Sequence, residues 1–403
     1  MSDPAKTQTT RYARLHRPPP RAVIGLEAEF KLLVNDVHRR PEEVFGTPQG
    51  LVREQMLPRT GRSFQLPAGG AIYFDTGVIE VATPIVELEA GCCFRATRLL
   101  WEQICYVRAE LDRWSVRNDC SARLQGFSTH YNVSFRAGKN AVEQTANQFG
   151  YLLVHILSAP LMLLAANRKS SAIGVRPRSN RIEVTADFTP DAALTLAACA
   201  FVAGVAETAR SWSRYDIGQL AEQGIPRLVP FGLRKHSSRK GWRVLARSLA
   251  HDPFTSDPNA AQWKVRDERT LSLREIAAET LRPFRREIRS LSDLATLRHI
   301  EAVFRGDARS LLDFPTRPKA YDDAGRAFDW NRRRVRHWPR SAYERVIHRV
   351  IAREPIHIGG KRYVAQRMQG WYEVVCRESK TGRRRVFTLD ELAKWAATHK
   401  RHR

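Results

Sequence analysis

The sequence lacks most of the signatures that tie a chain to one chemistry. It has no GxxxxGK[ST] loop, and its Gly359-Gly360-Lys361 triplet lacks both the preceding glycine spacing and the following Ser or Thr, so it reads as a turn. Neither a GxSxG elbow nor an HExxH pair occurs, which removes the hydrolases built on those motifs. Six cysteines (Cys92, Cys93, Cys105, Cys120, Cys199, Cys376) show no CxxC spacing and no evenly placed pairs, which argues against a zinc site and against a secreted disulfide scaffold. A reducing cytoplasm fits that usage. The first twenty residues are polar, close on Pro18, Pro19 and Pro20, and lack the apolar run of a signal peptide, so 1–20 reads as a loose leader. Two apolar runs exist, 149–166 and 192–206. The first contains His155, Ser158 and Pro160, and the second is Ala-rich around Gly204, so neither makes a membrane span and both read as buried helices.

What is present is a chain of 403 residues, 43% of them hydrophobic, with room for a sizeable core and for two or three domains. The formal net charge is +25, and it is unevenly spread. Residues 226–403 carry 41 Lys and Arg against 20 Asp and Glu, a net of +21, so residues 1–225 are close to neutral. The layout this suggests is the leader, a near-neutral region over 21–225, a basic helical region over 226–340 and a small basic β-rich module over 341–403. Trp330, Trp338, Trp371 and Tyr372 sit among arginines in the basic half. That half is therefore an alternative functional centre, a surface for nucleic acid or another polyanion with rings for stacking. No RRM, KH, zinc-finger or helix-turn-helix pattern accompanies it.

The near-neutral half repeats one pattern four times. In 181–188, side-chain alternation puts Arg181, Glu183, Thr185 and Asp187 on one face of a strand and Ile182, Val184, Ala186 and Phe188 on the other. Residues 21–33 set Gly25, Glu27, Glu29 and Lys31 against Ile24, Leu26, Ala28, Phe30 and Leu32. The run 72–84, read as one strand, carries Asp75 and Glu80. In 126–135, His130, Asn132 and Ser134 oppose Tyr131, Val133 and Phe135. Helical spacing separates the strands, as in Leu99, Leu100, Ile104, Val107 and Leu111, while Glu87 and Glu89 read as that helix's solvated start.

If these strands share one sheet, four glutamates and a histidine converge on one surface, which is tolerable only with cations present. Carboxylates with a single imidazole suit magnesium or manganese, and a metal pair beside arginine is equipment for phosphoryl transfer. The ordered fragments Gly-Leu-Glu-Ala-Glu-Phe (25–30), Val-Ile-Glu-Val-Ala-Thr-Pro (78–84), His-Tyr-Asn-Val-Ser-Phe (130–135) and Arg-Ile-Glu-Val (181–184) resemble the signature of the glutamine synthetase and glutamate-cysteine ligase superfamily. The resemblance covers about residues 21–212. It implies an α+β fold, an antiparallel sheet funnel covered by helices, that binds ATP and Mg2+ or Mn2+ and joins a small-molecule or peptide carboxylate to an amine through an acyl phosphate. It implies Glu27, His130 and Glu183 on the metal at the nucleotide phosphates, and Glu29 and Glu80 on the metal nearer the acceptor. Arg181, Glu183 and Asp75 become the expected catalytic groups, and Asn132, Arg176, Arg178 and Arg181 the expected nucleotide contacts. One position departs from the pattern: Thr185 stands where relatives carry an arginine, leaving Arg176, Arg178 or Arg181 to supply that charge, Arg181 first because it shares a face with Glu183.

Overall fold

The computed structural model describes residues 19–135, 142–236, 241–326 and 339–398. The alternation in 21–33 becomes β1 (Val23–Val34), which buries Ile24, Leu26, Ala28, Phe30 and Leu32 completely and turns Glu27 and Glu29 to the opposite side. Around it stand β2 (Ala71–Asp75), β3 (Val78–Ala82), β4 (Ala122–Ser134), β5 (Ala172–Pro177), β6 (Arg181–Asp187) and β7 (Trp242–Leu245). They run β7–β5–β6–β4–β1–β3–β2, every neighbour antiparallel, and shorter segments bring the sheet to twelve strands.

The apolar face needs cover, and helices α1 (Cys92–Arg117), α2 (Val142–Ala165) and α3 (Ala192–Arg210) provide it. By length and composition α2 and α3 could cross a membrane, but 83% and 78% of their apolar windows lie buried inside the protein, which identifies them as core helices. Against their outer side pack α4 (Leu273–Leu281) and α5 (Leu294–Arg305), so one continuous core runs from Ile24 to Ala324. Among the described residues, the polar face of the sheet lies open as a cleft.

Residues 342–398 form a second cluster around a four-stranded antiparallel sheet, β8 (Ile356–Ile358), β9 (Lys361–Gln369), β10 (Glu373–Glu378) and β11 (Arg384–Thr388), with α6 (Ala342–Ile351) and α7 (Leu389–Thr398). Its core of Tyr343, Val346, Val350, Tyr363, Val374, Phe387 and Leu392 takes in Val23 and Leu57 of the main body. The junction is also ionic: Glu344 of α6 is completely buried and pairs with Arg95 and Arg98 of α1.

Four local expectations change. The run 72–84 is two strands, because Thr76 and Gly77 take φ of 51° and 91° and turn the chain into a hairpin. Glu87 is buried rather than solvated, and accepts the Tyr343 backbone N–H at 3.1 Å at the start of α6. The stretch 226–340 is not helical throughout, since β7 joins the main sheet. Tyr372 is buried with its hydroxyl on Asp390 at 2.5 Å, so it offers no face for stacking, while Trp330 and Trp338 lie outside the described residues.

Candidate active site

Directly paired residues of an antiparallel sheet carry their side chains on the same face, so the register arranges the polar face in rows. One row reads Tyr73, Glu80, Glu29, Ser128, Asp187 across β2, β3, β1, β4 and β6. The next reads Glu27, His130, Thr185, Gly174, Arg243 across β1, β4, β6, β5 and β7. A third holds Gly25, Asn132, Glu183 and Arg176, and Ser134 faces Arg181 beyond it. Adjacent rows are about 7 Å apart along the strands. The surface thus grades from carboxylate at one end to guanidinium at the other, and it walls a cleft of about 460 Å³.

A bulge keeps β4 in step with this scheme. Gly126 pairs with Phe30 and Ser128 with Glu29, so Phe127 is an extra residue. Even-numbered residues are buried before it (Ala122, Leu124, Gly126) and odd-numbered ones after it (Thr129, Tyr131, Val133). That one insertion keeps Ser128, His130 and Asn132 on the same face of the sheet as Arg123 and Gln125.

In the middle rows, ligating atoms of Glu27, Glu80 and His130 all lie within 4.8 Å of one another. His130 Nδ1 is 3.4 Å from Glu27 Oε2, and its Nε2 is 3.8 Å from Glu29 Oε1. Ser128 Oγ donates to Glu29 Oε2 at 2.5 Å, Asn132 Nδ2 to Glu27 Oε2 at 3.2 Å, and Tyr73 to Glu80. Burial raises the Glu80 carboxyl to about 8, with the Glu27 charge adding to it. Burial also acts upward on Glu27, but the hydrogen bond and charge of His130, with Arg181 and Asn132, bring it below its ordinary value. His130 moves the other way: burial disfavours its cation, and Glu27, Glu29 and Glu80 outweigh that and raise its pKa.

Glu183 stands apart from this triad. It is 2% exposed and held by three guanidiniums: Arg176, Arg178 with Nη2 at 3.0 Å, and Arg181 with Nη2 at 3.8 Å. Burial first, and then Arg176 and Arg181, lower the Arg178 pKa to about 10. Arg181 Nε also donates to Asn132 Oδ1 at 2.7 Å, tying the arginine row to Glu27 through Asn132. Asp75 lines the mouth of the cleft at the hairpin tip, exposed and accepting Thr76 Oγ1 at 2.9 Å. All ten residues expected at a site therefore line one cleft or border it, with Asn132 at its edge in a smaller adjoining slot.

That slot is walled by Val23, Leu26, Thr83, Ile85 and Trp371, with Asn132 and Arg181 at its mouth. Trp371 comes from the C-terminal module and is held by the buried Arg59, whose guanidinium lies 4.1 Å over the indole. Sequence reasoning missed Tyr73, Ser128, Trp371 as a wall and Arg243. Tyr73 was within reach, two residues before Asp75 in an alternating run. Arg243 carried no signal, because its strand lies nearly sixty residues beyond the four matched fragments.

No protein-family model matches the chain, and no curated protein matches it. Among solved structures it is similar to the ligase PafA in complex with the prokaryotic ubiquitin-like protein Pup, at 12% identity and a TM-score of 0.47 over 94% of this chain and 93% of that one. It is also similar to PafA in complex with ADP, at 10% identity and a TM-score of 0.40 over 84% of this chain and 90% of that one. Likeness at that level leaves the chemistry of the cleft to its own residues.

Proposed function

We propose that the chain is an ATP- and divalent-metal-dependent ligase that joins a carboxylate to an amine through an acyl phosphate. The observation that supports this best is the graded face: a hard-donor triad, a cluster of arginines and an apolar slot in one continuous cleft. Glu27, Glu29 and Glu80 crowd around a single imidazole, and burial first, with the Glu27 charge adding to it, raises the Glu80 pKa. The donor set fits Mg2+ or Mn2+ held by Glu27, Glu80 and His130, with Glu29 beside them and with Glu183 joining only where its arginines release it. A bound divalent ion there would neutralise phosphate oxygens and polarise the phosphorus.

In this reading the slot beside Trp371 takes the planar base, and Asn132, Arg176, Arg178 and Arg181 hold phosphate oxygens along the arginine row. An acceptor carboxylate oxygen attacks the γ-phosphorus, the bond to the β,γ-bridging oxygen breaks, and ADP leaves. The amine nitrogen then attacks the acyl carbon, the carbon–oxygen bond to phosphate breaks, and the nitrogen's proton passes to a carboxylate at the acidic end, with Asp75 placed at the mouth to receive it. Amino-acid and peptide acceptors suit a cleft this open.

The experiment is phosphate release by the purified full chain with ATP and Mg2+ over a panel of amino-acid and peptide acceptors. Release that needs both a carboxylate and an amine supports the reading. Release that is indifferent to the amine, or no release with any pair while ATP binds, removes the ligase step.

A further inference from the structure

The three arginines next to Glu183 share their donors between that carboxylate and the cleft. Arg243 is in the opposite position. Its Nε is buried and has no hydrogen-bond partner, and among the described residues no carboxylate pairs with it, yet its side chain lines the same cleft. A buried N–H without an acceptor is costly unless something else supplies one.

Its stem passes beside a glycine on the way into the cleft. Arg243 pairs with Gly174, which pairs with Thr185, which pairs with His130. A Cβ on Gly174 would lie 2.3 Å from Thr185 Oγ1, 3.3 Å from His236 Cδ2 and 3.5 Å from Arg243 Cγ, so the Thr185 hydroxyl takes the place of a side chain at 174 and the arginine stem passes beside it in ordinary contact. The strands of Arg243 and His130 are about 14 Å apart, and an arginine reaching over Gly174 and Thr185 ends between them. The small residue at 185 and the glycine at 174 together clear the way.

Resting on the nucleotide reading above, we propose that Arg243 contacts the terminal phosphoryl group, supplying from β7 the charge that Thr185 does not. With the base in the Trp371 slot, the phosphates run from the arginine row towards His130 and Glu27. The row shared by Arg243 and His130 is where the chain of phosphates ends. There the guanidinium faces the phosphoryl oxygens from the side opposite Glu27, and its fork matches two of them.

The test is binding of ADP and of adenylyl imidodiphosphate to the full chain with Mg2+, read by calorimetry. Arg243→Gln is expected to weaken adenylyl imidodiphosphate about 10- to 100-fold while ADP changes less than about threefold. Arg243→Lys keeps the stem over Gly174 and is expected to lose part of the same increment, which guards against a folding defect in the glutamine variant. Adding Thr185→Arg to Arg243→Gln should restore most of the lost affinity, since the new guanidinium enters the same space, whereas Thr185→Arg alone collides with the Arg243 stem and weakens binding. A merely structural arginine would not be rescued in this way. Equal losses for both nucleotides, no loss for either, or no rescue would overturn the assignment of Arg243. If the wild-type chain binds neither nucleotide, the ligase reading itself falls.

Discussion

At the residue scale the acidic end of the cleft crowds Glu27, Glu29 and Glu80 around a single imidazole, His130, while the arginines gather on Glu183. Glu80→Gln removes one member of the crowd around Glu27 and Glu29 while keeping its shape and its ability to accept from Tyr73. Metal-free stability should therefore rise by about 1–2 kcal/mol, and the stabilisation that Mg2+ and ADP give the wild type should shrink. Melting in chelator and in Mg2+ with ADP measures both, and a loss of stability in chelator would contradict the repulsion argument. Asp187 provides a pH-dependent case at the acidic end. Its Oδ2 accepts Asn167 Nδ2 at 2.9 Å and the Ser170 hydroxyl, but burial outweighs them and raises the carboxyl from 3.8 to about 6. A carboxyl raised on folding contributes fully below its unfolded value and loses that contribution as pH rises through the folded one. Asp187→Asn should thus add about 1–3 kcal/mol above pH 7, with the gain fading towards pH 4. Denaturant melts at pH 4, 6 and 8 decide it: a gain independent of pH would mean that the carboxylate is not strained.

At the element scale, legibility followed periodicity. β1 could be read because five apolar residues alternate with Gly25, Glu27, Glu29 and Lys31 without interruption, and burial on one face follows from that alone. The bulge in β4 could not, because alternation looks the same on either side of an inserted residue and only the partner strand reveals the slip. The Asp75-to-Val78 hairpin was hidden by a turn whose only marker is Gly77 within an apolar run. Glu183 was correctly placed on the polar face, but its company was not readable, since Arg176 and Arg178 reach it from the neighbouring strand and the turn that follows. The bulge also carries a consequence for stability. A Cβ at Gly126 would come 2.3 Å from Phe188 Cδ1, in a ring cluster where Phe188 meets Phe30 at 5.0 Å. Gly126→Ala should cost about 1–3 kcal/mol through overpacking. The same substitution at exposed Gly61, which has nothing nearby but a φ of 82°, costs only backbone strain, so comparing the two by chemical denaturation separates crowding from conformation.

At the scale of the whole molecule, the cleft is completed by a chain segment that belongs to another core. Trp371 walls the slot from the C-terminal module, and that module is held to α1 by Glu344, buried between Arg95 and Arg98. A buried carboxylate in that position is tolerable only with its partners, and it also accepts the Ser341 backbone N–H at 2.7 Å, so it fixes both the start of α6 and the seat of the module. Among the described residues, removing its charge leaves Arg95 with only the exposed Glu89 and Arg98 with only the exposed Glu102 as carboxylate partners, at a cost of about 1–3 kcal/mol. Glu344→Gln should lower the melting temperature and also weaken ADP binding, although Glu344 is not among the residues that line the slot. Trp371→Ala should weaken ADP binding to a similar degree, about tenfold, with little change in melting, because the indole is only half-buried and its loss opens the slot without unseating the module. The pair of measurements separates a wall from the strut that holds it. If Glu344→Gln melts early yet binds ADP as the wild type does, the module is not a working part of the nucleotide site, and the slot must be completed by the main sheet alone.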